Sequence, residues 1–112
     1  MILILRKKAS PNQIMTMQAE HGNLIKIAVD IRQQVLAGGG EMHADCEQTL
    51  LESGSEQDDI WGANWYPGDQ RVEFEALINI RPVLENRSVL IQSQEIRNAV
   101  EAVARGILVE EK

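Results

Sequence analysis

Leu24-Ile25-Lys26-Ile27-Ala28-Val29-Asp30-Ile31-Arg32 is the stretch whose reading decides the fold. Ile25, Ile27, Val29 and Ile31 recur at every second position, with Lys26, Ala28, Asp30 and Arg32 between them. Successive side chains of a strand point to opposite faces, so this period predicts a strand with one face in a core and the other face polar. The run is expected to continue to Leu36, until Gly38-Gly39-Gly40 breaks it as a turn between strands.

On the N-terminal side, Ile2 to Leu5 is a short apolar run that reads as a strand. Ser10, Pro11 and Gln13 then form a helix start, with a capping hydroxyl, a proline at the first helical position and a glutamine that completes a capping box. Ile14 and Met17 supply the buried side of that helix, with Met15 at its margin, and His21-Gly22 closes it.

On the C-terminal side, residues 41–52 admit two readings. As a strand they point Met42, Ala44, Cys46 and Leu50 inward; as a helix they put His43, Cys46 and Glu47 on one side. The strand is favoured, because Glu52-Ser53-Gly54-Ser55 reads as a hairpin turn and strand-like sequence follows. Ile60 to Tyr66 is the next strand, ended by Pro67-Gly68-Asp69, and Val72 to Arg81 alternates clearly until Pro82 stops it. Val89 to Ile91 can add a short strand. Ser93 caps an amphipathic helix carrying Ile96, Ala99, Val100, Val103, Ile107 and Leu108 at helical spacing, with Glu101 and Arg105 as an i,i+4 pair.

Assembled, residues 1–112 form one α+β domain, an antiparallel β-meander with two helices packed on one face. The opposite face is then expected to be polar and to carry Lys26, Asp30, Arg32, His43, Asp45, Glu47, Glu73, Glu75, Asn79 and Arg81.

A net charge of −6 repels phosphate backbones, and the only tight basic run is Arg6-Lys7-Lys8, so nucleic acid is not an expected partner. No apolar run approaches a membrane span. Cys46 is the single cysteine, which rules out an internal disulfide and suits the cytoplasm, as does an N-terminus whose apolar residues precede its basic ones, the reverse of a secretory signal. The glycine run lacks the spacing of a dinucleotide or phosphate-binding loop, so no cofactor is implied.

Chemistry is most suggestive around His43. On a strand His43, Asp45 and Glu47 project from one face, which makes them candidate metal ligands, while His43, Asp45 and Glu73 are candidates for acid/base work. A solvated or salt-bridged histidine is the bland alternative, and in the strand reading Cys46 is a small buried hydrophobe. Asp30, Arg32, Asn79, Arg81 and Arg87 are candidate ligand-binding residues, the arginines because their guanidinium groups match carboxylates and phosphates. Trp61 and Trp65 share a strand face, either as hairpin packing or as an exposed platform for a ring or a partner chain.

The motifs Gly38-Gly39-Gly40 with His43-Ala44-Asp45-Cys46-Glu47, Asp59-Ile60-Trp61-Gly62-Ala63-Asn64-Trp65-Tyr66-Pro67, and Leu77-Ile78-Asn79-Ile80-Arg81-Pro82 with Asn86-Arg87-Ser88 span most of the chain. In them the sequence resembles a small bacterial family, found in cyanobacteria among others, described as a domain of unknown function. The resemblance implies a stand-alone bacterial protein and brings no catalytic residue with it. Two functions therefore stand as expectations. One is a non-enzymatic binding or assembly module that uses the polar sheet face, as a homo-oligomer and most simply a homodimer. The other is a small metal-dependent or acid/base hydrolase centred on His43 and Asp45.

Overall fold

The alternation of the Ile25 run is realised as β2 (Ile25–Asp30), the central strand of a five-stranded sheet, in a computed structural model that describes residues 1–110. Around it lie β1 (Leu3–Leu5), α1 (Pro11–Gln18), β3 (Val35–Gly38), α2 (His43–Glu52), β4 (Ile60–Tyr66), β5 (Arg71–Glu73) and α3 (Gln94–Leu108). The sheet order is β1-β3-β2-β4-β5, and every neighbouring pair is antiparallel. The class is α+β, as the patterning implies. Both outer helices start as read: Ser10 and Gln13 form the capping box of α1, and the Ser93 hydroxyl accepts from the Ile96 N–H.

The first departure is at Asp30. The strand stops there instead of running to Leu36, because the Asp30 carboxylate accepts the backbone N–H groups of Arg32 and Gln33, each at 2.9 Å. Gln34 then takes a left-handed conformation, with φ 59°, and the chain returns as β3. A short side chain that captures the backbone N–H groups just ahead of it turns the chain more tightly than the alternation can continue. Burial pushes the Asp30 carboxyl up, but its hydrogen bonds from the Gln33 backbone, Ser55, the Gln33 side chain and the Arg32 backbone together outweigh this and leave it below the ordinary carboxylate value.

The second departure is α2. Both β3 and β4 run antiparallel to β2, so they are parallel to each other. Parallel strands cannot be joined by a hairpin and need a crossover, usually a helix. Residues 43–52 are that crossover and form a helix, not the favoured strand. The two faces of the sheet follow from this. On one, Ile27, Val29, Trp61 and Trp65 pack with Ile14 and Met17 of α1 and Val100, Val103 and Ile107 of α3. On the other, Ala28, Val35, Ala37 and Ile60 pack with Cys46 and Leu50 of α2. A third helix thus covers part of the expected open polar face.

Gly38-Gly39-Gly40 is buried rather than a loose turn. A Cβ at Gly38 would lie 3.0 Å from Met17 Sδ, and one at Gly40 would lie 3.0 Å from Cys46 Sγ. The glycines let α1 and α2 close on the end of the sheet from both sides.

The third departure is Val72 to Arg81. Only residues 71–73 form a ladder with β4; Glu75 makes a single bridge to Leu90, and Leu77–Asn79 and Pro82–Leu84 are 3-10 turns. The alternation is real, but it serves two cores, with Phe74 on the α3 side and Ile78 on the α2 side. Asn79 completes the edge of β4. Its side chain accepts the Gly62 N–H at 2.8 Å and donates to the Gly62 carbonyl at 3.0 Å, as a neighbouring strand would.

Candidate functional site

Trp61-Gly62-Ala63-Asn64-Trp65 sends both indoles into the α3 core, where they are 1% and 0% exposed, and so turns Gly62 and Asn64 to the α2 face. On that face α2 begins at His43. His43 Nε2 lies 2.8 Å from Asn64 Oδ1 and 3.0 Å from the Ala63 carbonyl oxygen. The Asn64 amide nitrogen donates to Glu73 Oε1 at 3.0 Å and to the Glu75 carbonyl at 3.3 Å. With acceptors at its nitrogen, the amide can present only its oxygen to the histidine. Both groups facing Nε2 are then acceptors, so Nε2 carries the hydrogen and the lone pair is on Nδ1, which has no hydrogen-bond partner among the described residues.

Glu73 is itself held in place. Tyr66 donates its hydroxyl to Glu73 Oε1 at 3.2 Å, and Arg71 lies 3.8 Å from Oε2 while stacking 4.0 Å above the Tyr66 ring. Burial pushes the His43 imidazole below its usual value, and its hydrogen bonds to Asn64 and Ala63 offset this only in part. The ring is therefore a neutral acceptor near pH 7.

A groove of about 460 Å³ opens beside this ring, lined by Lys26, Met42, His43, Leu77, Ile78 and Val89 among others. Lys26 faces it because it pairs across the sheet with Asn64 and so shares its face. Its side chain has no ion-pair or hydrogen-bond partner among the described residues. Gly62 makes the apolar wall possible: a Cβ there would meet Ala76 Cβ at 2.6 Å and Ile78 Cγ1 at 2.9 Å.

Of the residues singled out from the sequence, His43 and Glu73 meet here, through Asn64. Asp45 does not join them. On a helix its side chain turns away and accepts the Met42 N–H at 3.2 Å as a capping group. Glu47 is committed to Arg81, 2.7 Å from Nη2, with both side chains about nine-tenths buried at 12% and 11% exposure. The His43, Asp45 and Glu47 metal set therefore does not converge, and no group of three His, Cys, Asp or Glu side chains among the described residues is placed to hold a metal ion.

Asp30 and Asn79 are structural, as described, and Arg32 pairs with Asp59 at 2.8 Å on the surface. Arg81 also donates to the Gln57 carbonyl and lies over Trp61, so its guanidinium braces the loop. Arg87 is exposed and does not line the groove. Trp61 and Trp65 are core residues, so the packing reading holds and the exposed platform does not. Cys46 is buried, and burial pushes its thiol up to about 11, which makes it a poor nucleophile despite its place one turn after His43.

Asn64 and Lys26 were not singled out as site residues. Asn64 had a signal: it is the one polar side chain in the middle of an otherwise apolar strand, and a buried amide needs partners.

The family described as "Protein of unknown function (DUF5674)" matches residues 3–107, and the chain belongs to it. No curated protein and no solved structure matches the chain. No helix among the described residues is long and apolar enough to cross a membrane.

Proposed function

We propose that this member of the DUF5674 family is a binding module whose site is the groove beside His43, on the part of the outer sheet face that Lys26 and Asn64 line. The observation that supports this reading is the pre-set imidazole. Glu73 orients Asn64, Asn64 orients His43, and the ring is left with an unpartnered Nδ1 beside an apolar wall. A few fixed polar groups in an apolar concavity are the usual make-up of a small-molecule site. Asn64 would also serve to orient an acid/base histidine, but the thiol nearest in sequence is buried and Asp45 is engaged elsewhere, so binding is the stronger reading. The test is a fragment screen followed by backbone amide shifts. Compounds with a hydrogen-bond donor should move the resonances of His43, Leu77 and Ile78, and His43→Ala should abolish this while the protein stays folded. Silence across a broad library at millimolar concentration, or shifts that persist in His43→Ala, would overturn it.

A second reading, assembly with a second copy of the chain, is favoured by the segment after the groove. Leu77 and Val83 are 71% and 94% exposed, with Ile80 and Leu90 also exposed. Their backbone is held by the buried amides of Asn79 and Asn86, the latter donating to the carbonyls of Asn79, Ser88 and Leu90. Apolar side chains on a pre-ordered loop lose little further entropy on docking. Light scattering should give the dimer mass at micromolar concentration and the monomer mass for Val83→Asp; a wild-type monomer at high micromolar concentration would exclude it.

A further inference from the structure

The groove holds two groups of opposite need. His43 Nδ1 is an acceptor without a donor, and the Lys26 ammonium is a cation without an anion, among the described residues. Lys26 is half-buried and sits on the strand beside Asn64, so the cation and the imidazole stand over the same stretch of sheet. The proximity is felt electrically, since the Lys26 charge opposes protonation of His43. Glu73 does not neutralise Lys26: its carboxylate is taken by Asn64, Tyr66 and Arg71. Glu75 is exposed at the rim. The same groove is lined by Met42, Leu77, Ile78 and Val89, apolar side chains that fit a branched aliphatic group.

A ligand that satisfies all three features carries an anion, an N–H donor near it, and an apolar side chain. We propose that the groove binds N-acylated apolar amino-acid carboxylates, the group found both in free acyl amino acids and at the carboxyl terminus of a peptide ending in an apolar residue. The carboxylate pairs with Lys26, the amide N–H donates to His43 Nδ1, and the side chain lies on Leu77 and Ile78. Charge-assisted hydrogen bonds are the strong ones. An unmet buried partner is costly, so loss of either polar group from the ligand should be felt.

This inference rests on the groove being a binding site, and the experiment separates the two claims. Wild-type protein is titrated by amide-shift NMR with N-acetyl-leucine, N-acetyl-leucinamide, 4-methylpentanoate and a tetrapeptide ending in leucine, free and amidated. N-acetyl-leucine should saturate with shifts at His43, Leu77 and Ile78. The leucinamide should bind at least about tenfold more weakly, and that preference should vanish in Lys26→Met. 4-Methylpentanoate, which lacks the N–H, should also bind more weakly. A tetrapeptide tighter than N-acetyl-leucine marks a peptide terminus as the source; equal affinity marks the free acyl amino acid. If leucinamide binds as tightly as the acid, or if only unrelated fragments bind the groove, the proposed ligand class is wrong and the groove reading stands. If nothing binds there, both fall.

Discussion

Asn64 donates its side-chain amide to Glu73 Oε1 at 3.0 Å, and this contact fixes where the hydrogen of His43 sits. With the amide nitrogen committed to Glu73, only Oδ1 can face the imidazole, 2.8 Å away. Long-range proton–nitrogen correlation spectra should therefore show His43 as a single Nε2–H tautomer at pH 7.5. In Asn64→Ala the Ala63 carbonyl alone remains, and the spectrum should move towards a mixture. A dominant Nδ1–H form in the wild type would reverse the assignment of the acceptor to the groove.

The same burial has a consequence for stability. His43 is pushed below its ordinary value of 6.5 in the folded state, so between those two points the unfolded chain binds more protons than the folded one. The stabilising contribution is complete above about pH 7 and is lost as pH falls through the unfolded value towards the folded one. Urea unfolding from pH 7.5 to 5 should show a steeper loss for the wild type than for His43→Gln. Parallel curves would mean that the ring titrates as a free imidazole.

What the sequence revealed and what it concealed divide along one line. Elements whose signals are local were legible: the Ser10 and Ser93 caps, the period of Ile25 to Asp30, and the strand Ile60 to Tyr66 all lie where the residues imply. Residues 41–52 read as a strand because Glu52-Ser53-Gly54-Ser55 has the composition of a hairpin turn and strand-like sequence follows, whereas the helix at 43–52 is imposed by β3 and β4 flanking β2 on opposite sides, a non-local fact. The alternation of Val72 to Arg81 misled for a related reason: two cores lie on either side of the sheet edge, and alternate residues serve both. His43 and Glu73 were legible as polar candidates. Their link was not, since it passes through Asn64 on a third segment.

Gly62 should be the least replaceable glycine beside the groove. Its Cβ would sit 2.6 Å from Ala76 Cβ and 2.9 Å from Ile78 Cγ1, so the wall segment must lift away from β4. Gly62→Ala is expected to cost about 1–3 kcal/mol, as overpacking does. Gly106 is the control: nothing lies within 4 Å of its Cβ position on an exposed face of α3. Gly106→Ala should stabilise by roughly 0.5–1 kcal/mol, the usual gain of alanine over glycine within a helix. Thermal unfolding of the two variants should therefore shift in opposite directions, and a neutral Gly62→Ala would show that residues 76–78 are not held against the strand.

Cys46 should be inert in the native protein. It is fully buried between Gly40 and the sheet, with a thiol pushed up to about 11. A thiol-reactive dye at pH 8 is expected to label it only as fast as the protein unfolds, and labelling should become fast in denaturant. Rapid labelling under native conditions would mean that α2 opens readily and would bring a thiol within range of the groove.

The Glu47–Arg81 pair joins α2 to the loop after the groove wall, and its isolation from water sets what happens when one partner is lost. Each side chain is close to nine-tenths buried, the pair is 2.7 Å apart, and Arg81 also donates to the Gln57 carbonyl and lies over Trp61. Glu47→Gln takes from the enclosed guanidinium its paired carboxylate and leaves it only the charge of Asp58, and Arg81→Met leaves an enclosed carboxylate without its cation. Each should cost about 2–4 kcal/mol, somewhat less than a fully buried pair because a little water still reaches both. Replacing both removes the orphaned charge, so the double variant should be less destabilised than the sum of the single ones. The deficit in a double-mutant cycle should be about 1–3 kcal/mol. Additive losses in urea unfolding would show that the two groups act separately, and would free Arg81 to be reconsidered as a ligand-binding residue.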